Sequence, residues 1–132
     1  MIVGIGHDVT DMDRVQAIVA GKAGRRFLER ILTGRERERI EGAGDKRVAQ
    51  YAAGRFAAKE AVVKALGCGI GEMCGFADIE ILPDKLGKPE CRVSEASLRK
   101  LGYDPGTLRI HITITHDRTI ASAVAVAERT DV

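Results

Sequence analysis

Four charged side chains, Arg55, Lys59, Glu60 and Lys64, share a stretch that is otherwise small and apolar, Gly54-Arg-Phe-Ala-Ala-Lys-Glu-Ala-Val-Val-Lys-Ala-Leu-Gly67. A carboxylate and several cations on one helix, with alanines between them, suit a phosphorylated ligand and a metal better than they suit a plain structural helix. A second carboxylate, Asp8, is far away in sequence. Together Asp8 and Glu60 are the candidates for a hard-metal site, because Mg²⁺ is commonly held by one or two carboxylates plus substrate phosphates and waters. The plainer alternative makes Asp8 a turn residue and pairs Glu60 with Lys64 as an exposed i,i+4 salt bridge of about 0.3–0.5 kcal/mol.

Glycines at 67, 69 and 71 follow the charged stretch and offer backbone to a phosphate. Phosphate loops usually precede a helix, where its dipole is positive; this one follows, where it is negative. Lys64, Lys59, Arg55 or a metal must therefore supply the positive charge. His116 is expected at the exit of a strand, where a side chain can reach a cleft or simply face water. His7 and His111 with Cys68 or Cys74 are a conceivable zinc set, although no pair among them has a recognisable ligand spacing.

The elements that must position these groups follow from periodicity and punctuation. Residues 2–5 predict a short buried strand ending in a turn at Gly6-His7-Asp8. Asp11 is a cap for a helix from about Met12 to Gly21, with Val15, Ile18 and Val19 as its apolar stripe. A second short amphipathic piece carries Phe27, Leu28, Ile31 and Leu32. Thr33-Gly-Arg-Glu36 has capping-box spacing, and the charged run after it is expected to face water. Asp45 caps a long helix closed at Gly67, with Val48, Ala49, Ala52, Phe56, Val63 and Leu66 on one face and Ala53, Ala57, Glu60 and Lys64 along its edge. Residues 77–83 and about 90–93 read as strands, joined by the turn Asp84-Lys-Leu-Gly-Lys88. Ser94 caps a short helix closed by Gly102. Leu108, Ile110, Ile112 and Ile114 alternate with Arg109, His111, Thr113 and Thr115, and a turn at 116–119 makes this strand a hairpin with the next.

Composition narrows the function classes. The 132 residues suit one domain, and no linker, repeat or low-complexity segment divides them. Aromatics make up only 4% and Trp is absent, which argues against the stacking platforms of single-strand nucleic-acid binders. A net charge of +2 from 21 basic and 19 acidic residues leaves local clustering as the informative feature. The three cysteines have no disulfide-framework spacing and read as reduced thiols of a cytoplasmic protein. No run is long and apolar enough to cross a bilayer.

Taken jointly, several segments resemble a known family. Gly4-Ile-Gly6-x-Asp8 with Arg14, Phe27-x-x-Arg30-x-Leu-Thr33-x-x-Glu36, the Gly54–Gly67 run, Gly87-Lys-Pro89 and Ile114-Thr-His116 look like the holo-acyl-carrier-protein synthases, the small bacterial 4′-phosphopantetheinyl transferases. The likeness covers nearly the whole chain, and the Gly54–Gly67 run is its most specific part. It implies an α+β fold with one long central helix packed on a small, mainly antiparallel sheet, spanning 1–132 as a single domain. It implies transfer of the 4′-phosphopantetheine arm of coenzyme A to a serine of apo acyl carrier protein, for fatty acid biosynthesis, with release of adenosine 3′,5′-bisphosphate. By the same likeness Asp8 and Glu60 bind Mg²⁺, or Mn²⁺, and Lys64 stabilises the developing charge. Glu60, directly or through a water, takes the serine proton. Arg55, Lys59, Lys64, Gly67, Gly69, Lys88, Pro89 and His116 are then the coenzyme A site. Arg14, Lys22, Arg25 and Arg26 are the docking surface for an acidic carrier, and the assembly is a homotrimer. Two departures are Cys68 where the family usually has Thr, which removes a hydroxyl donor, and Thr113 where it usually has Ser. A coenzyme A-binding regulatory module and a Mg²⁺-dependent phosphohydrolase are the competing classes.

Overall fold

The computed structural model describes residues 1–132. In chain order the elements are β1 (Ile2–Asp11), α1 (Met12–Ala20), α2 (Gly24–Ile31), α3 (Gly34–Glu38), α4 (Asp45–Leu66), β2 (Ile79–Pro83), β3 (Pro89–Val93), α5 (Glu95–Lys100), β4 (Leu108–His116) and β5 (Ile120–Arg129), with a single 3₁₀ turn at Phe76–Asp78. One antiparallel sheet has the order β1-β5-β4, and β2 and β3 form a separate hairpin. α4 lies across the larger sheet.

The close fit of α4 on β1 explains the glycines near the start of the chain. A methyl group at Gly4 would lie 1.8 Å from the Ala65 carbonyl oxygen, and one at Gly6 would lie 1.9 Å from that of Ala61. Only glycine permits this approach, since even an alanine would push strand and helix apart. Opposite, β5 turns Ala121, Ala123, Ala125 and Ala127 inward, all buried. Small residues on both sheet and helix therefore bring α4 down onto the strands.

This contact also corrects the expected first element. β1 does not end at Gly6 but runs to Asp11, paired residue by residue with β5 from Gly4↔Ala127 to Asp11↔Ile120. Its inward positions carry two glycines and an aspartate in place of aliphatics, so no apolar alternation announces it. Asp8 consequently sits within the strand, on the face toward α4.

α4 is buried around most of its circumference, including Val48, Ala49, Ala53, Ala57, Ala58, Ala61, Val62 and Ala65. The single apolar face expected from its sequence is too narrow. The helix is sandwiched, with Val62, Val63, Ile79 and Ile81 in one core cluster and Met12, Val15, Ile31 and Val48 in another. Fully burying each such aliphatic side chain stabilises by about 1.5–3 kcal/mol. The N-cap of α4 is Gly44, not Asp45; Asp45 is the first helical residue, where its charge still complements the dipole. Gly67 closes the helix with φ 88°. Asp11 accepts from the Asp13 and Arg14 amides, Thr33 and Glu36 form a complete capping box, and Ser94 accepts from the Ser97 amide. These caps follow the sequence expectation.

Candidate active site

β1 delivers Asp8 and α4 delivers Glu60 and Lys64 to one edge of the strand–helix contact. Lys64 Nζ donates to Asp8 Oδ1 at 3.0 Å and to the His7 carbonyl at 3.0 Å. The alternative i,i+4 pair of Glu60 with Lys64 is not formed; the lysine turns across to the strand. Burial, and then the neighbouring Asp8 carboxylate, hold the Glu60 carboxyl above its ordinary range against the opposing pull of Lys64. Glu60 with the Asp8 carboxylate beside it is a donor set suited to a hard cation, and two carboxylates are enough for Mg²⁺ when substrate oxygens complete the shell.

Glu60 also borders a groove of about 530 Å³ whose lining includes Thr10, Arg14, Ile18, Phe27, Arg30 and Phe56. Its walls join α1, α2, α4 and the end of β1. Phe56 packs between Phe27 (centroids 6.3 Å) and Phe76 (5.5 Å), and the Arg30 guanidinium lies 5.8 Å from the Phe76 ring. Arg14 on α1, Lys22 in the link after it and Arg25 and Arg26 on α2 are all exposed, with Arg25 paired to Glu29 at 3.0 Å. Arg14 reaches the groove.

Lys59 is the correction. The sequence placed it with the coenzyme A ligands, yet its side chain is fully buried and its three donors are taken by Glu36 Oε1 (2.7 Å), the Ile31 carbonyl (2.7 Å) and the Phe76 carbonyl (3.1 Å). No donor is left for a ligand. Glu36, expected on a solvated helix, is equally buried; its Oε1 also accepts from the Thr33 amide (2.7 Å) and its Oε2 from the Ile81 amide (2.8 Å). Burial pushes the Lys59 ammonium below the usual lysine range while Glu36 opposes that shift. The pair ties α4, α3, β2 and the turn at Phe76 together.

The remaining expected ligands lie apart in this chain. Arg55 stacks over the Tyr51 ring at 4.2 Å, and its Nε and the Tyr51 hydroxyl have no partners. His116 borders a cavity of about 760 Å³ with Lys46, Gln50 and Arg118, three residues that nothing in the local sequence marked out. Lys88 and Pro89 border another of about 640 Å³ between β3 and β4. Gly69 is exposed, and a methyl group there would touch nothing within 4 Å, so packing within the chain does not demand glycine.

The side chains weighed for zinc are dispersed. His7 bonds Ser122 at 3.0 Å and His111 bonds Glu128 at 2.9 Å, while Cys74 is buried. Burial pushes the Cys74 thiol up to about 11 and the Cys91 thiol up to about 12, away from thiolate chemistry. All three cysteines are free.

A sequence model of the 4′-phosphopantetheinyl transferase superfamily matches residues 4–124. The chain is 45% identical over 129 residues to the holo-[acyl-carrier-protein] synthase of Geobacillus kaustophilus, covering 98% of this chain and 91% of the relative. It is 40% identical over 129 residues to that of Magnetococcus marinus, covering 97% and 94%. The fold matches the crystal structure of a holo-(acyl-carrier-protein) synthase from Bacillus anthracis in complex with coenzyme A (3′,5′-ADP), with TM-score 0.82, 38% identity and 98% of both chains covered. It also matches the Neisseria meningitidis synthase, with TM-score 0.83, 37% identity and 98% and 100% covered. With two carboxylates and a lysine gathered where β1 crosses α4, and with likeness over almost its whole length, the chain belongs to the holo-acyl-carrier-protein synthase family of the 4′-phosphopantetheinyl transferase superfamily.

Proposed function

We propose that the chain transfers 4′-phosphopantetheine from coenzyme A to a serine hydroxyl of apo acyl carrier protein, releasing adenosine 3′,5′-bisphosphate. The observation that carries this reading is the Asp8–Glu60–Lys64 cluster beside an open groove, in a chain so similar to proteins named for that reaction.

In the proposed reaction the serine oxygen forms a bond to the phosphorus that bears the pantetheine arm. The bond from that phosphorus to the bridging oxygen breaks, and the nucleotide leaves with the electron pair. Glu60, whose carboxylate already binds protons more tightly than usual, accepts the serine proton. Lys64 is half exposed and held only by Asp8 and a carbonyl, so it exchanges them for phosphate oxygens without a large penalty. Asp8 and Glu60 are the residues that would hold Mg²⁺ or Mn²⁺; a cation there neutralises the pyrophosphate and lowers the cost of charge on the leaving group. Arg55, Lys88, Pro89, His116 and the glycines 67 and 69 remain the proposed nucleotide contacts, and Lys59 acts from beneath as a structural tie. Arg14, Lys22, Arg25 and Arg26 steer an acidic carrier to the groove, mainly speeding encounter.

Because the proposed nucleotide contacts occupy separate regions of one chain, the reading includes a homotrimer in which neighbours complete each site. The outer face of the β1-β5-β4 sheet supports it: Ile5 and Val9 are exposed there, in register with Val126 and Ser122. The proposed setting is cytoplasmic fatty acid biosynthesis; no helix is long and apolar enough to cross a membrane.

The test is incubation with coenzyme A, Mg²⁺ and an apo carrier protein, followed by mass spectrometry of the carrier. The expected result is a gain equal to the phosphopantetheine group, abolished by EDTA. An unmodified carrier overturns the reading, and phosphate release without carrier favours a hydrolase.

A further inference from the structure

Two residues beyond Asp8, on the same inward face of β1, Thr10 is only 8% exposed and its hydroxyl has no hydrogen-bond partner. Buried hydroxyls are almost always satisfied, and leaving one bare is destabilising, so an apolar β-branched residue would serve this strand better if packing were its only task. Gly4 meets Ala65 and Gly6 meets Ala61, so strand and helix step past each other in opposite directions and Thr10 falls beyond Glu60 toward the start of α4. There it borders the groove that Glu60 also borders, between walls formed by Phe27, Phe56, Ile70 and Phe76. The other orphaned groups, the Tyr51 hydroxyl and Arg55 Nε, belong to a stacked pair on α4 that does not border this groove.

A groove lined by seven apolar residues, one bare hydroxyl and the charged groups Asp11, Arg14, Arg30 and Glu60 suits an extended ligand that alternates apolar carbon with isolated polar groups and carries a phosphate. We infer that Thr10 is a specificity residue whose hydroxyl bonds a hydroxyl or amide group of the pantetheine arm, laid along this groove with its phosphate toward Glu60 and Lys64. The inference rests on the proposed transfer reaction. Aromatic and aliphatic walls cover the methyl and methylene parts of the arm, while Thr10 distinguishes a substrate that carries the arm from a nucleotide that lacks it.

Calorimetric titration of the wild-type protein, Thr10→Val and Thr10→Ser with coenzyme A and with adenosine 3′,5′-bisphosphate, each in the presence of Mg²⁺, tests it. Thr10→Val is expected to weaken coenzyme A binding about tenfold, the scale of one lost hydrogen bond, and to leave the bisphosphate unaffected. Thr10→Ser is expected to stay within about threefold of wild type for both, the hydroxyl being kept. The melting temperature of Thr10→Val without ligand should equal or exceed that of wild type, because no bond within the protein is lost. Equal weakening of both ligands, no weakening of either, or a lower melting temperature would each overturn the inference. If the wild-type protein itself neither binds coenzyme A nor loads a carrier, the transfer reading falls. If it does both and Thr10→Val behaves like wild type, only the role of Thr10 falls.

Discussion

Two lysines on α4, Lys59 and Lys64, each pair with a carboxylate from a distant element, and the two pairs differ in almost everything else. Lys59 and Glu36 are both 0% exposed, 2.7 Å apart, with every lysine donor and both carboxylate oxygens committed. Lys64 is 51% exposed and Asp8 18%, 3.0 Å apart, with solvent beside them. The buried pair cannot trade partners without stranding a charge, so it acts as a rivet. The open pair loses little by letting go, so it is free to meet a phosphate or a cation. A lysine paired with a carboxylate thus serves architecture at one point of α4 and chemistry at another five residues on, and the difference is solvent access.

Breaking the rivet should produce the largest effect. Lys59→Met leaves the Glu36 charge buried and uncompensated and is expected to cost about 3–5 kcal/mol in urea unfolding. Adding Glu36→Leu should recover part of that loss, because it removes the stranded charge while leaving the Thr33 and Ile81 amides without their acceptor. If the double variant is no more stable than the single one, the pair is not the coupled unit described here.

The open pair should respond in the opposite way. Lys64→Met is expected to change unfolding free energy by less than about 1 kcal/mol, as for other exposed pairs. Its transfer rate should fall by roughly 10²–10³, the typical loss when a group stabilising transition-state charge is removed. Steady-state assay beside thermal melting checks both. A large stability loss with intact turnover would reverse the assignment of the two lysines.

The smallest effect is a matter of pH. Burial and Asp8 raise the proton affinity of Glu60 in the folded protein above that in the unfolded chain. The folded state therefore binds more protons in the window above the ordinary glutamate range, and stability falls as pH rises through it. In EDTA, Glu60→Gln should flatten that slope and raise the melting temperature at pH 7 slightly; assayed with Mg²⁺, it should abolish transfer. A melting profile that is already flat in the wild-type protein would mean the two carboxylates do not oppose each other.

Local pattern made much of this molecule legible. The alternation at 108–116, the hairpin it makes with the next strand and the caps at Asp11, Thr33 and Ser94 follow from contacts within a few residues, and they appear as expected. β1 was legible only to Gly6, because its remaining inward positions are Asp8 and Thr10 and its strand character rests on pairing with residues more than a hundred positions away. Glu36 read as surface because charges at helical spacing usually face water. Its burial depends on Lys59 and on the Ile81 amide, neither of which its own segment reveals. Thr10, Lys46 and Arg118 carried no local signal at all.

By itself, the sequence determined which residues with catalytic character exist, which helix carries most of them, and the family to which their spacing belongs. The tertiary structure decided how they divide. Helix and strand periods are set by backbone geometry over a few residues, so they can be read locally. Whether a lysine is a rivet or a ligand depends on which distant carboxylate packing brings to it and on how much water remains, and only the folded chain specifies both.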